Sequence, residues 1–463
     1  MQYFIQTFGC QMNMHDSRRM DEVLTRAGYT PAGAVSDASV VVLNTCSVRE
    51  KAEHKLLSAL GTLKSLKAVR PDAVLAVAGC VAQQEGEKLL KRAPHLDLVI
   101  GPDNIVELAD LVRHIQRGGP PIARTVFDYD EPGFLRAFPS ERKREVTSYV
   151  TVMKGCDERC SFCIVPYTRG KERYRTSDDI LAEITQHVAG GVREVTLLGQ
   201  TVNSWYEAGR DSRGTASQFS ELLYRIAREV PKLTRLRYTS PHPRHITDAL
   251  IRAHSDLAVL PSHVHLPVQS GSNRVLRRMI RKYTREAYIE RAHRLLSARR
   301  DMTLSTDIIV GFPGETDEDF EQTLSLVSEV GFVSAFAFKY SPRPYTPALK
   351  FGDDVPEAVK EERLATLFQH MELQQQRHLT SLVGSVQSVL VEAASRDGSS
   401  RFMGRNQCHD IVHIECAPNP DPIGQLLDVE ITEAYKHSMR GIARGSTHAA
   451  PPLRMVRRLP LAV

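Results

Sequence analysis

Along residues 1–117, short unbroken apolar runs alternate with longer charged stretches. Gln2–Phe8 reads as a strand, and Asp16–Ala27 as a helix opened by Asp16 and closed near Gly28. Ser39–Asn44 (SVVVLN) is apolar almost throughout and predicts a second strand, followed by a helix from Val48 to about Ser65. Ala73–Ala78 (AVLAVA) predicts a third, followed by a helix from Gln83 to Arg92. Apolar strands separated by helices predict a parallel sheet covered on both faces, a doubly wound α/β domain.

Residues 118–146 break this pattern. Gly118, Gly119, Pro120 and Pro121 open a stretch rich in proline and charge, which predicts a linker. Strand and helix signals resume at Tyr149. Strands are predicted over Tyr149–Met153, Glu194–Leu198, Arg235–Tyr238, His263–Pro267, Leu304–Val310 and Val333–Tyr340. Six strand–helix units predict a partial (βα)6 barrel instead of a closed eight-fold one. A helix from Pro356 to Leu382, with an apolar stripe at Leu364, Leu367, Phe368 and Met371, closes that domain. From Gly384 the runs VQSVLVE, RFMGRN, IVHIE and LLDVEITEA alternate in polarity and predict a small five-stranded β-barrel. The expected boundaries are 1–117 for the first domain, 118–146 for the linker, 147–378 for the partial barrel, 379–447 for the β-barrel and 448–463 for a basic tail.

Composition narrows the classes. The 463 residues are 42% apolar and 25% charged, as in ordinary globular proteins, and too many for a single core. No run approaches the ~18 apolar residues of a membrane span. MQYFIQTFGCQMN lacks a basic region before an apolar run, so no signal peptide is expected and the expected compartment is the cytoplasm. A net charge of +5 leans only slightly toward a nucleic-acid partner. Eight cysteines in so long a chain are not a disulfide scaffold; in a reducing compartment a spaced set binds metal or does chemistry.

Cys156, Cys160 and Cys163 form C-x3-C-x2-C in KGCDERCSFCIVPYTRG, after the first barrel strand. That is the C-terminal edge, where such barrels carry their sites. Three thiolates on one loop hold three irons of a [4Fe–4S] cluster and leave the fourth open. The open iron can chelate the amino and carboxylate groups of S-adenosylmethionine (SAM), whose reductive cleavage yields a 5′-deoxyadenosyl radical. A zinc site needs a fourth ligand, and neither Asp157 nor Glu158 has a suitable spacing. Cys10, Cys46 and Cys80 stand far apart, in TFGC, VVLNTC and AVAGC, yet each follows a predicted strand. The C-terminal ends of parallel strands share one edge, so these thiols are expected to converge and bind a second [4Fe–4S] cluster. Gly9 and Gly79 would turn the backbone just before the ligand. The alternative for each of the three is a small apolar core residue. Cys408 and Cys416 read as packing residues.

Polar groups recur at the ends of the barrel strands. They are Gln200 and Asn203, Ser240 and His242, Gln269 with Ser270 and Gly271, GFPGET (Gly311–Thr316), and Ser341 with Arg343. Their position assigns Gln200, Ser240, Gln269, Gly311 and Gly314 to a SAM or substrate pocket, with turn roles as the alternative. Trp205, Tyr206 and Tyr345 also follow strands and offer an apolar wall, with surface loop residues as the alternative. In the β-barrel, Arg401, Phe402, Arg405, Tyr435, Lys436, His437 and Arg440 suit RNA binding, with a plain solvated surface as the alternative. No catalytic acid or base stands out.

These motifs resemble those of the methylthiotransferases, most closely the MiaB-type branch that acts on tRNA. The resemblance runs over nearly the whole chain, through TFGCQMNMHDS, NTCSVREKAEHK, AGCVAQQEG, GCDERCSFCIVPYTRGKE, EVTLLGQTVNSW, HLPVQSGS, TDIIVGFPGET and YSPRPYTPA. The end resembles a TRAM domain, an RNA-binding β-barrel. Thr201, Tyr174 and Tyr345 depart from the family's usual Asn, Ser and Gly. The resemblance implies that Cys156, Cys160 and Cys163 bind the radical-SAM cluster, and that Cys10, Cys46 and Cys80 bind an auxiliary cluster. The auxiliary cluster would hold or supply a sulfur that one SAM methylates, while a second SAM activates carbon 2 of the adenine. The implied substrate is isopentenyladenosine next to the anticodon of tRNA. Implied partners are the tRNA anticodon loop, an electron donor such as flavodoxin or ferredoxin, and Fe–S assembly or sulfur-supply proteins, with no membrane. The alternatives are a methylthiotransferase for another tRNA adenosine or a ribosomal protein, and a non-catalytic Fe–S RNA-binding sensor.

Overall fold

Successive residues of the apolar strands point to opposite sides of the first sheet, and both sides are covered. The computed structural model describes residues 1–47, 50–129, 145–208, 218–395, 401–416 and 421–444. Val40, Val42, Val74, Ala76, Leu98 and Ile100 pack with Met20, Leu24 and Leu108 in one cluster. Val41, Leu43, Leu75, Val77 and Val99 pack with Leu56, Leu60 and Leu89 in another. The sheet holds β1 (Gln2–Phe8), β2 (Thr30–Pro31), β3 (Val40–Thr45), β4 (Val74–Gly79), β5 (Leu98–Ile100) and β6 (Ile122–Arg124). All six are parallel, in the order β2-β1-β3-β4-β5-β6. The order reverses between β1 and β3, which opens a crevice at their C-terminal ends.

Two departures from the sequence reading shape the site. The segment Ile122–Arg124, read as linker, pairs with Leu98–Ile100, so the sheet extends past residue 117. The helices also start at the cysteines themselves. The first runs Gln11–Arg26 with Cys10 as its N-cap, not from Asp16, and the one read from Gln83 begins at Cys80 and breaks at Gly86.

The central region carries β7 (Thr147–Thr151), a short antiparallel pair formed by β8 (Met153–Lys154) and β9 (Arg173–Tyr174), then β10 (Glu194–Leu198), β11 (Arg235–Tyr238), β12 (His263–His265), β13 (Thr303–Val310) and β14 (Ser334–Lys339). Parallel strands run β11-β10-β7 and β12-β13-β14. They share one core that includes Val150, Leu197, Leu236, Val264, Leu304 and Ile308. This is the expected partial (βα)6 barrel. The helix Glu357–Ser381 buries Leu367 and Met371 but leaves Phe368 exposed, so its apolar stripe is narrower than read.

The C-terminal strands β15 (Val386–Ala394), β16 (Arg401–Arg405), β17 (Ile411–Glu415), β18 (Leu426–Ala434) and β19 (Met439–Ala443) close a barrel in the order β15-β16-β17-β19-β18. Val389, Val391, Phe402, Val412, Ile414, Val429 and Ile431 fill it. The chain divides into two compact units, Met1–Met371 and Glu372–Val463, so the sheet domain and the partial barrel form one unit. Among the described residues, no helix is long and apolar enough to cross a membrane. The tail read over 448–463 lies outside the described residues.

Candidate metal centres

Sheet register brings the three N-terminal thiols together. Phe8 pairs with Thr45 and Thr45 with Gly79, so Cys10, Cys46 and Cys80 leave three neighbouring strands at one level. A Cβ on Gly9 would lie 2.6 Å from Cys46 Cβ, and one on Gly79 would lie 2.3 Å from Asn44 Oδ1. Both glycines also have positive φ, +145° and +92°, so conformation and space both require them. Asn13 and Asn44 tie the turns together. Asn13 Nδ2 donates to Thr45 O at 3.2 Å, and Asn44 Nδ2 donates to Asn13 O at 2.8 Å. A hydrogen bond with Cys46 lowers the Cys10 thiol to about 6 against the opposing effect of burial, with help from Asn13 and Arg169. These neighbours favour the thiolate, the form that ligates metal.

The second set sits on the loop after β8. Gly155 has φ +90°, and a Cβ there would lie 1.9 Å from Lys171 O. Cys156 N donates to Gly170 O at 3.1 Å, and Ser161 Oγ to Arg278 O at 2.7 Å, which fixes the loop at both ends. Thr201 Oγ1 lies 3.1 Å from Cys156 Sγ, and Arg281 Nη1 donates to Cys160 Sγ at 3.3 Å. Burial pushes the Cys156 thiol up to about 11, despite a hydrogen bond from Thr201. It pushes Cys163 up as well, where Cys160 and Cys156 add repulsion. Cys160 is buried and Cys156 and Cys163 are half-buried. Three neighbouring sulfurs whose thiolate forms repel one another fit a group that brings positive charge and uses three protein ligands, as a [4Fe–4S] cluster with one open iron does.

Two other clusters of ligand-type side chains have simpler explanations. Glu158, His242 and His245 lie together, but Glu158 also faces Lys282 at 3.0 Å and Arg244 at 3.6 Å, which disfavours a cation. His378, Cys408 and Asp410 lie together in the second unit. There the Asp410 carboxylate accepts from His378 Nε2 at 2.9 Å and Asn406 Nδ2 at 3.0 Å, locking a turn beside the buried Cys408.

The expected pocket residues divide. Gln200 Oε1 accepts from Gly155 N at the cysteine loop, while its Nε2 is buried with no partner among the described residues. Ser240 and Gln269 adopt left-handed backbone, φ +57° and +76°. Such strain costs about 1–3 kcal/mol and gathers at functional sites. For Gly311 and Gly314 the turn role accounts for both NH groups. Gly311 N donates to Glu315 Oε1 at 2.8 Å, and Gly314 N to Asp354 Oδ1 at 2.6 Å. Trp205 is not a pocket wall: it is buried and its Nε1 donates to Arg175 O at 3.0 Å. Tyr206 and Tyr345 are exposed, and the Tyr345 ring lies 5.9 Å from that of Tyr167. In the β-barrel, Phe402 is an interior residue, and Arg440 and Arg405 are held by Glu415 and Glu392. Tyr435, Lys436 and His437 remain at the surface, with Lys436 Nζ 2.7 Å from Glu372. Sequence pattern does not single out Arg281 and Arg169, and it marks Thr201 only as a departure expected to touch no cluster ligand; all three touch a cysteine sulfur.

Three family models match the chain. Residues 2–101 match the Uncharacterized protein family UPF0004, residues 150–327 the Radical SAM superfamily and residues 380–443 the TRAM domain. Among solved structures, the radical SAM methyltransferase TsrM from Kitasatospora setae superposes with a TM-score of 0.52 at 15% identity, covering 75% of each chain. The cobalamin-dependent radical SAM enzyme OxsB superposes at 0.50 and 11% identity, covering 80% of this chain and 56% of its own. At these identities the likeness shows the fold. The chain is a radical SAM enzyme, a class that uses a [4Fe–4S] cluster and SAM. A protein from Sorangium cellulosum, named tRNA-2-methylthio-N(6)-dimethylallyladenosine synthase, is 56% identical over 97% of this chain and 94% of its own length. One of the same name from Acidithiobacillus ferrooxidans is 46% identical over 95% and 96%. The chain belongs to that family.

Proposed function

We propose that the chain converts N6-dimethylallyladenosine beside the anticodon of tRNA into its 2-methylthio derivative. In this reading Cys156, Cys160 and Cys163 hold one [4Fe–4S] cluster, and Cys10, Cys46 and Cys80 hold a second. The supporting observation is the pair of three-thiol sets, each at a strand-end edge, within one compact unit. When bound, the clusters and SAM supply the radical chemistry and the sulfur.

The chain's own residues position and shield. Thr201 and Arg281 meet the thiols of Cys156 and Cys160, and Arg281 places a fixed positive charge there. The unpartnered Nε2 of Gln200 and the strained backbone at Ser240 and Gln269 are the groups for SAM. Carbon 2 of a stacked adenine is sheltered, whereas an anticodon-loop base splays out at modest cost. The exposed rings of Tyr167 and Tyr345 give such a base or its prenyl tail a face to pack on. The C-terminal barrel contributes RNA contacts. A cytoplasmic location, an electron donor of the flavodoxin or ferredoxin type, and a protein source of sulfur complete the proposal.

The test is anaerobic turnover of the iron-loaded enzyme with SAM, a reductant and prenylated tRNA. About eight irons per chain, 5′-deoxyadenosine and a 2-methylthio nucleoside are expected. SAM cleavage with no 2-methylthio product would overturn the substrate assignment, and about four irons would overturn the second cluster.

A further inference from the structure

We propose that Arg169, a residue of the radical-SAM core, is a positioning residue for the cluster at Cys10, Cys46 and Cys80, and that it raises the reduction potential of that cluster. The inference rests on the two-cluster reading and deepens it.

Arg169 ends the short helix Val165–Arg169, six residues beyond Cys163. Its side chain leaves the core and reaches the other thiol set. Arg169 Nε donates to Cys80 Sγ at 3.2 Å, and Nη2 to Asp16 Oδ2 at 2.6 Å. The side chain is only 2% exposed, and its Nη1 is buried with no hydrogen-bond partner among the described residues. The next residue serves the first set, since Gly170 O accepts from Cys156 N at 3.1 Å. Two consecutive residues therefore touch both cysteine groups.

The arginine is held from behind. Arg173 Nη2 donates to Arg169 O at 2.7 Å, and Arg173 is bound by the buried Asp103, which also pairs with Lys154 at 3.0 Å. Asp16 uses only one arm of the guanidinium. That leaves Nε on a ligand sulfur, and Nη1 has no hydrogen-bond partner among the described residues.

The physical consequence follows from charge. Guanidinium stays protonated throughout. Reduction makes a thiolate-bound cluster more negative, so a fixed cation with a hydrogen bond to a ligand sulfur favours the reduced form. Low dielectric around a buried group strengthens the effect. Asp16 opposes it, so the two residues act with opposite signs on one cluster. A merely structural ion pair would show no such pair of signs.

The experiment uses the full chain with Cys156, Cys160 and Cys163 replaced by Ala, reconstituted anaerobically so that only the second cluster is present. Its potential is read by spin-resonance redox titration, with iron counted in parallel. In Arg169→Gln the ratio of reduced to oxidised cluster at fixed potential is expected to fall about tenfold, a negative shift of about 59 mV for one electron. Asp16→Asn should shift it the other way. Arg169→Lys keeps the charge but loses the fork, and should fall between parent and Arg169→Gln; it carries the test if Arg169→Gln fails to hold iron. An unchanged potential in an iron-loaded Arg169 variant overturns the proposal. Absence of iron in the parent instead overturns the two-cluster reading, and this inference with it.

Discussion

Asn44 Oδ1 occupies the space beside Gly79, 2.3 Å from where a Cβ on that glycine would sit. Asn44 is fully buried, and its Nδ2 donates to Asn13 O and to Ser17 Oγ at 2.9 Å. One carboxamide thus joins the helix capped by Cys10 to β3 and closes off β4. Gly79→Ala meets both the clash and the strain of φ +92°. It is expected to destabilise the chain by roughly 2–3 kcal/mol and to lower iron content, while Cys156, Cys160 and Cys163 are untouched. Urea titration and iron assay check this; a fully loaded, equally stable variant would show that the turn adapts.

The two thiol sets should separate by function. Cys156→Ala, Cys160→Ala or Cys163→Ala is expected to abolish reductive SAM cleavage. Replacing Cys10, Cys46 and Cys80 together should take iron from about eight to about four per chain. SAM cleavage should survive in that variant and methylthio product should vanish. Unchanged iron would return those three thiols to core packing.

Convergence of Cys10, Cys46 and Cys80 is readable along the chain because apolar runs mark the strands and parallel strand ends share an edge. Elements set by their neighbours were less legible. Ile122–Arg124 follows a Gly-Gly-Pro-Pro run whose local signal is a break, and its strand character comes from pairing with β5. β19 carries Gly441 where a Cβ would lie 2.5 Å from Glu430 O, so the strand contains a residue that breaks its pattern. Buried charge was the largest omission. Nothing in the sequence marks Arg169, Arg173 and Arg175 as buried, yet Arg169 and Arg173 meet carboxylates 153 and 70 positions away, and Arg175 meets the buried Glu183. Local periodicity carries no information on such partners. Trp205 and Phe402 were misassigned for a related reason: an aromatic near a strand end can plug a core or line a site, and only packing decides.

Glu183 lies buried between Arg19 Nη2, at 2.6 Å, and Arg175. Burial alone would raise its pKa, but Arg19, His187 and Arg175 outweigh it and hold the carboxyl well below its usual range. A folded value below the unfolded one means that this stabilisation is complete above the ordinary carboxylate value of 4.5 and is lost as pH falls through the acid range. The cluster-free chain should therefore lose stability below about pH 4.5. Glu183→Gln leaves two arginines under-compensated and should cost roughly 3–5 kcal/mol at pH 7, with a shallower acid dependence. Urea midpoints at pH 7 and pH 4 measure both effects; an unchanged acid slope in the variant would move the effect to other carboxylates.

Tyr345 bears on substrate choice. It sits at φ +67°, where a side chain is strained, and it is 54% exposed against the ring of Tyr167, itself 42% exposed. Tyr345→Gly relieves that strain, about 1 kcal/mol, against a similar glycine entropy cost, so stability should barely change. Any catalytic effect then reports contact with substrate. Burying a five-carbon prenyl tail contributes roughly 2–4 kcal/mol, a preference of tens- to hundreds-fold for prenylated over unmodified tRNA. Tyr345→Gly and Tyr167→Ala are expected to cut that preference several-fold, raising KM for the prenylated tRNA while leaving kcat nearly constant. Product is scored as 2-methylthio nucleoside by mass spectrometry on matched tRNAs. An equal loss on both tRNAs would assign the tyrosines to base stacking or docking instead of the tail. Equal rates on both tRNAs with the parent enzyme would remove the isopentenyl assignment, and product only from a tRNA carrying a different N6 group would move the activity to that adenosine.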